Sequence, residues 1–555
     1  MLQGFQQQEK GLERVLLCAI AFILALQLHL QFVQKINWDE FYFLSLVYDY
    51  QRGDLAKPLQ TAHVHFFGWL KYISPNEVTQ IIAARVVMWI LQLGTLTFIY
   101  KTARVFISRS AALFAVLSFL GFGFIFMHGT SFRADPIAAF LMSGATYILA
   151  GSKLDLRSLA ALSVCLALGA LVTIKVIFFA PVFASLAFWR LSTSEDTKTP
   201  FIKFALCALA ATLLFALGYF GQLSLMPQAD ISGSKDMLNS AGKTTLRSGG
   251  LFPRSTYILA NIVLGLVSSA MILLGFIFIL KDILKPSSKK KKLLALLAMG
   301  LPVLSLIFYR NAFPYYFAFI FPGIVLWAGF AAEKLEEIPV LNALLAVVMS
   351  ANIAVQYKSR LGKNHHVQSA SLQEVRRIFP NPVSYIDRSS MMASYPKSGF
   401  FMSTWGLKTY EAKGVPALEQ AMNNNVIPVL LENSKELSRA LRISDEKSVL
   451  VERDQTALRE NYIPHWGHIW IAGKALELSP QAITFNNLVP GDYTIESNDD
   501  VIINGTRYAA GGIINLSRGS NSAQSETPQN IVLRWGNNIK ASDMLPPTRP
   551  IFTSF

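Results

Sequence analysis

Residues 15–40 read VLLCAIAFILALQLHLQFVQKINWDE, an apolar run that closes on Trp38-Asp39-Glu40. Its first twenty residues, 15 to 34, match what a helix needs to cross about 30 Å of hydrocarbon. Lys10 and Arg14 precede it and no small-x-small cleavage site follows, so it reads as an uncleaved first span. Ten further segments qualify, near 79–100, 110–128, 134–150, 158–174, 176–190, 202–221, 256–280, 293–309, 314–331 and 338–355. The stretch 158–190 is short for two crossings and, at about 1.5 Å per residue, too long for one. Two crossings put Lys10, Arg14, Lys101, Arg104, Arg109, Lys153, Arg157 and the lysine-rich loop Lys281 to Lys292 on one side, as the positive-inside rule requires. The expectation is a polytopic α-helical membrane protein with about 11 spans, its N-terminus cytoplasmic and residues 356–555 outside.

The composition agrees. Of 555 residues, 52% are hydrophobic and 15% charged, and the mean hydropathy is +0.38, which excludes a soluble enzyme, a disordered chain and a collagen-like fibre. Fifty Lys and Arg against 35 Asp and Glu leave +15, which in a soluble chain would point to nucleic acid. No basic domain interleaved with aromatics exists, so a nucleic-acid partner is not expected and the excess marks topology. Cys18, Cys165 and Cys207 lie in apolar runs, which leaves no disulfide framework and no CxxC pattern.

Three domains are expected: a membrane domain over 1–355, an exported α/β segment over 356–460, and an exported β-sandwich-like segment over 461–555. In the second, Pro382–Ile386 and Val426–Leu431 read as strands, and Val415–Met422 and Lys435–Leu441 as helices. In the third, His468–Ala472, Tyr493–Ser497, Val501–Ile503, Ile513–Leu516 and Ile531–Trp535 read as strands between Pro490-Gly491, Asn504-Gly505 and Arg518-Gly519 turns. Asn504-Gly505-Thr506 matches a glycosylation sequon but reads more simply as a hairpin turn. Trp405, Trp466 and Trp470 suit either a core or the stacking of a glycan.

Ionisable residues gather where the spans meet one compartment, a costly placement that carries a functional hypothesis by default. They are Asp39 and Glu40, His63 and His65, His128, Arg133 and Asp135, Lys175, Arg247, Arg254 and Arg310, the last close to Tyr315 and Tyr316. Few carboxylates and many cations at a membrane face suit transfer of a sugar from a lipid-linked phosphate. The phosphate leaves readily, cations stabilise its charge, and one carboxylate accepts the proton of the attacking hydroxyl. Asp39 is the expected base and Glu40 its competitor. Direct displacement inverts the anomeric centre.

The ordered set Trp38-Asp39-Glu40, His63-Val64-His65, Arg133-Ala134-Asp135, Lys175 in Thr-Ile-Lys-Val, and Phe313-Pro314-Tyr315-Tyr316 with Pro322 resembles the GT-C glycosyltransferase superfamily. It is most similar to protein O-mannosyltransferases and lipid A aminoarabinose transferases, over roughly residues 10–355. The resemblance implies a polyprenyl- or dolichyl-phosphate sugar donor, a base at Asp39, and a phosphate-binding role for Lys175 with Arg247 or Arg254. Arg133 and Asp135 match the family's second polar position. Val176 stands where the family pattern has glycine, and the loop around Arg247 and Arg254 has no family signature.

Each residue also has a plainer use. Asp39 also reads, less favourably, as a solvated carboxylate at a span end. Arg133 and Asp135 pair with each other and cap a span that begins near Pro136. Lys175 snorkels to the interface, Arg247 and Arg254 attract anionic headgroups, and Arg310 with Tyr315 and Tyr316 forms an aromatic belt. His63 and His65 share a side if their segment is extended, which suits a divalent cation or substrate hydrogen bonding, although no third ligand is evident. That cation is the one cofactor left open. The expected function is a glycosyltransferase at the outer face of a bacterial cytoplasmic membrane, acting on a lipid, lipopolysaccharide, polysaccharide or protein hydroxyl. The alternatives are a lipid-linked sugar flippase, which needs charges spread through the membrane depth, and a membrane-anchored glycan-binding assembly protein.

Overall fold

A computed structural model describes residues 2–229, 250–286, 289–442 and 448–552, with the side chains of 2–8 left aside. All eleven apolar segments are helical among these residues, but not all are single helices. Eight are long and apolar enough to cross a membrane: Glu9–Val33, Glu77–Phe106, Ala134–Gly151, Ile174–Thr193, Lys198–Ser224, Leu266–Leu284, Tyr316–Lys334 and Pro339–Leu361. The 110–128 segment divides into Arg109–Leu120 and Gly123–His128, and 256–280 into Ser255–Leu264 and Leu266–Leu284. At the second break a Cβ on Gly265 would meet Phe122 Cδ1 at 2.4 Å, so the backbone passes where only glycine fits. The 293–309 segment is a short helix, Lys290–Ala298, followed by a 3-10 stretch, Leu301–Ile307.

The chain forms two compact units. The first comprises residues 1–34, 49–73 and 82–364. At its centre, Tyr316–Lys334 packs on Arg109–Leu120 and on Leu266–Leu284. Gly275 lets the last pair approach closely, since a Cβ there would fall 1.8 Å from the Trp327 carbonyl oxygen. Arg109–Leu120 is buried almost throughout, whereas Lys198–Ser224 leaves Leu206, Leu209, Leu213, Leu217 and Phe220 exposed. An apolar surface of that size is tolerated where lipid covers it.

The second unit comprises residues 35–48, 74–81 and 365–555. Its strands are β1 (Tyr385–Ile386), β2 (Val429–Leu431), β3 (Tyr462–Trp466), β4 (Ile469–Leu478), β5 (Ile483–Asn487), β6 (Gly491–Glu496), β7 (Val501–Ile503), β8 (Thr506–Tyr508), β9 (Ile513–Leu516), β10 (Gly519–Gln524) and β11 (Gln529–Trp535). One sheet runs β1-β2-β4-β11-β6-β9 with β3 also on β4, and a second runs β5-β10-β7-β8. Among the strand pairs of the described residues, β1 with β2 is parallel and the others are antiparallel. The pairing of β2 with β4 carries a single sheet across the expected boundary near residue 460. Helices Thr404–Lys413, Ala417–Asn424, Lys435–Leu441 and Glu452–Asn461 close a core around Leu430, Tyr462 and Trp470, so Trp470 is a core residue. Tyr493, Ile495 and Leu533 of one sheet meet Val501, Ile503 and Ala523 of the other, which makes the sandwich. Asn504 (φ 49°) and Gly505 (φ 80°) turn β7 into β8 in the left-handed region that such hairpins need.

Lys474 sits in β4 at 5% exposure and donates to the carbonyls of Glu460 and Asn486 and to Asn461 Oδ1. Burial pulls its pKa down to about 8, against the opposing pull of Glu460. Between pH 8 and 10.5 the unfolded chain therefore holds more protons at this group, and stability rises with pH across that window. The contribution is on the order of 3 kcal/mol. Denaturant unfolding of the whole protein followed by tryptophan fluorescence should show this rise, and Lys474→Met should flatten it.

Candidate active site

In the first unit the helices line an open cavity of about 1040 Å³. Leu166, Ile177, Phe178, Phe183, Phe215 and Leu304 form part of its apolar wall, and Gln60, Lys175, Ser305, Tyr309 and Asn311 are its polar groups. Lys175 enters the wall just after the chain breaks between helix Leu156–Val172 and Ile174–Thr193. Thr173 is extended there (φ −163°, ψ 138°), and its hydroxyl caps the turn by accepting Lys175 N–H at 3.4 Å. That break turns Lys175 from a residue within one long apolar helix into one at the start of a 3-10 turn, Ile174–Phe179. Gln60 Oε1 accepts from the same Thr173 hydroxyl at 3.3 Å, with the Gln60 backbone at φ 66°. A non-glycine residue held in that region is the kind of local strain that collects at functional sites.

Lys175 Nζ makes an ion pair with Asp135, 5.7 Å from the Tyr316 ring centroid and 5.9 Å from that of Phe319. Asp135 also faces Arg133 Nε at 3.6 Å, and the Arg133 guanidinium lies 3.4 Å from the centroid of Tyr315. Arg133 is the extended N-cap residue of Ala134–Gly151, so its own helix start orients it. The side chains of Arg133, Asp135 and Lys175 are 15%, 2% and 14% exposed. The expected Arg133–Asp135 pairing is present, and it is one arm of a triad with a net charge of +1.

Tyr315 and Tyr316 are 8% and 0% exposed, and the Tyr316 hydroxyl lies 2.7 Å from Ser305 Oγ. They are interior residues and not the interfacial belt that their spacing after an apolar run implied. Burial in the bundle, invisible in local sequence, makes the difference. Arg254 packs 4.3 Å over Phe313 and donates to the Arg310 carbonyl at 2.9 Å, which joins Arg254 to the Phe313–Tyr316 segment. Arg247 lies outside the described residues.

His63 and His65 do not share a side. They lie on a single helical turn, His63–Phe67, where residues two apart point in opposing directions. His63 packs edge-on to Phe132 and His65 to Tyr50. Burial holds His65 below the usual imidazole range. Among the described residues no group of three His, Cys, Asp or Glu side chains is arranged to hold a metal ion. His128 is buried at the end of Gly123–His128.

Asp39 and Glu40 belong to the second unit, on the first turn of Trp38–Arg52. Asn37 Oδ1 accepts Asp39 N–H at 3.0 Å and Glu40 Oε1 accepts Asn37 N–H at 3.1 Å. This is a variant of the capping box in which Asn stands for Ser or Thr and its side chain accepts from the second helical residue. Glu40, 0% exposed, is thereby committed to holding the turn, while Asp39 stays partly exposed at a helix N-terminus that favours an anion. The Arg388 guanidinium lies 5.0 Å from the Trp38 ring centroid. Arg388 is held by Glu436 at 3.3 Å, and its N–H donates to Asn433 Oδ1. Sequence reasoning missed Arg388, Gln60, Tyr309 and Asn311. Only Thr173, a capping residue just before Lys175, left a readable signal nearby.

The polytopic helical bundle with its sheet-containing unit is a fold that solved structures share. ArnT from Cupriavidus metallidurans bound to undecaprenyl phosphate matches with a TM-score of 0.56 at 13% identity, covering 78% of this chain and 96% of that one. AglB from Archaeoglobus fulgidus, an archaeal oligosaccharyltransferase in complex with an inhibitory peptide and a dolichol-phosphate, matches with a TM-score of 0.52 at 13% identity, over 91% and 75%. Both are of the GT-C superfamily, and the chain has the GT-C fold. By sequence, no family model and no curated protein matches.

Proposed function

We propose that the protein is a membrane glycosyltransferase that moves a sugar from a polyprenyl-phosphate carrier to a hydroxyl acceptor at the outer face of a bacterial cytoplasmic membrane. The observation that carries this reading is the cavity of about 1040 Å³, apolar over most of its wall, with Lys175, Asn311 and Gln60 among its polar groups. Its two-part chemistry suits a lipid tail with a phosphate at one end. The undecaprenyl phosphate of the ArnT structure and the dolichol-phosphate of the AglB structure support the same ligand class. In this reading Lys175 holds the phosphate, and Arg133 and Arg254 add positive charge.

Asp39 is the base on chemical grounds. Its carboxylate takes the acceptor proton while the acceptor oxygen bonds to the anomeric carbon. The bond from that carbon to the phosphate oxygen breaks on the opposite face, and polyprenyl phosphate departs with the electron pair. The product is inverted. Lys175 and its neighbours stabilise the phosphate charge that develops, so no acid is needed at the leaving group. The acceptor class stays broad, covering lipid, lipopolysaccharide, polysaccharide and protein hydroxyls.

The test uses purified full-length protein and a panel of undecaprenyl-phosphate-linked pentoses and hexoses carrying ¹⁴C in the sugar, in liposomes with bacterial envelope glycolipid as acceptor. One donor should be consumed, with release of undecaprenyl phosphate. Movement of the intact lipid between leaflets without cleavage, or consumption of no donor, would overturn the proposal.

A further inference from the structure

In the second unit, residues 537–552 carry no helix or strand, yet they are tied down along their length. The Lys540 carbonyl accepts from Arg377 at 2.6 Å, the Met544 carbonyl from Trp466 Nε1 at 3.0 Å, and the Arg549 carbonyl from His468 Nε2 at 2.9 Å. The Pro550 carbonyl accepts from Lys35 Nζ at 2.6 Å, three residues before Trp38. Pro546, Pro547 and Pro550 restrict the backbone and offer no N–H, while the Ser542 N–H donates to Glu374 Oε1 at 3.1 Å. The apolar side chains split sharply. Met544 and Leu545 are 59% and 93% exposed, whereas Ile551 is 1% exposed.

Phe552 stands nearly perpendicular to Trp38 at 6.2 Å (83°) and to the fully buried Phe41 at 5.9 Å (73°). Trp38 thus meets the Arg388 cation and the Phe552 ring, and Asp39 is the next residue along. Edge-to-face rings fix orientation as well as distance.

We infer that this strap is a positioning element, with Phe552 and the Lys35–Pro550 bond setting the pose of the first turn that carries Asp39. The inference rests on the reading of Asp39 as the base. Phe552 touches no reacting atom and acts through Trp38 and Phe41. Displacing a reacting group by about 1 Å costs on the order of a hundredfold in rate. A loosened turn therefore shows in turnover rather than in donor affinity.

The test compares full-length Phe552→Ala, Phe552→Tyr and Lys35→Met with the exposed-site control Leu545→Ser. Amide hydrogen exchange over residues 37–46 should speed up about tenfold in Phe552→Ala and less in Lys35→Met, and stay unchanged in Phe552→Tyr and Leu545→Ser. With the undecaprenyl-phosphate sugar consumed in the assay above, kcat should fall ten- to a hundredfold in Phe552→Ala while the donor KM moves less than twofold. Phe552→Tyr should restore it. Unchanged exchange in both Phe552→Ala and Lys35→Met would overturn the inference, as would a kcat loss matched by Leu545→Ser. If Asp39→Asn retains full turnover, the base assignment fails. If Asp39→Asn is inactive and Phe552→Ala is fully active, only the strap's role fails.

Discussion

Asp39→Asn is expected to lower sugar transfer by about a thousandfold, in the middle of the range for removing a general base. The amide keeps the shape of the side chain, and the Asn37 side chain still accepts the same backbone N–H at 3.0 Å, so the turn persists. What is lost, in the proposed reaction, is the carboxylate that accepts the incoming hydroxyl's proton. The companion variant, Glu40→Gln, discriminates. Glutamine serves at the third helical position of a capping box as glutamate does, so folding and turnover should both survive. Glu40→Ala removes the bond to Asn37 N–H and should cost about 1 kcal/mol of stability with little change in rate. Single-turnover sugar transfer and thermal unfolding of the same preparations separate the two residues. A Glu40→Gln enzyme as inactive as Asp39→Asn would move the base to Glu40.

The two carboxylates show how far sequence alone reaches. That acidic residues follow the first apolar run is plain in the chain, and the choice between them puts Asp39 first with Glu40 as its competitor. It narrows through one local bond, Asn37 N–H to Glu40, whose Asn-x-x-Glu spacing was readable but competed with the reading of both residues as interfacial charge. His63 and His65 went the other way. Their placement turns on whether five residues are extended or helical, and a pattern so short cannot fix its own period. In the second unit Lys435–Leu441, Val501–Ile503 and Ile513–Leu516 match their expected bounds residue for residue, because turn residues flank each. By contrast, nothing local to residues 35–48 or 74–81 announces that they join a unit built mainly from residues beyond 365. Glu77 illustrates this. It accepts from Arg376 and from Ser394 Oγ at 2.6 Å, partners about 300 residues away, and only tertiary packing selects them.

The triad in the first unit supports the other large effect. Asp135→Ala should destabilise the protein by about 3–5 kcal/mol, because it leaves two mostly buried cations facing each other without their shared carboxylate. Lys175→Met should be milder in stability, since Asp135 keeps Arg133 and methionine fills an apolar wall, but it should abolish productive donor binding. Pairing them tests whether the carboxylate serves stability, chemistry or both. Residues in one ion network are not additive, so Asp135→Asn with Lys175→Met should recover most of the stability lost by Asp135→Asn alone. Transfer should not recover with it. Thermal unfolding in one detergent, alongside donor consumption, reads both quantities. A double variant that regains transfer would mean that Lys175 serves only to neutralise Asp135. A double variant that is stable and inactive would leave the lysine's charge, presented in the wall of the cavity, as the part that the proposed chemistry requires.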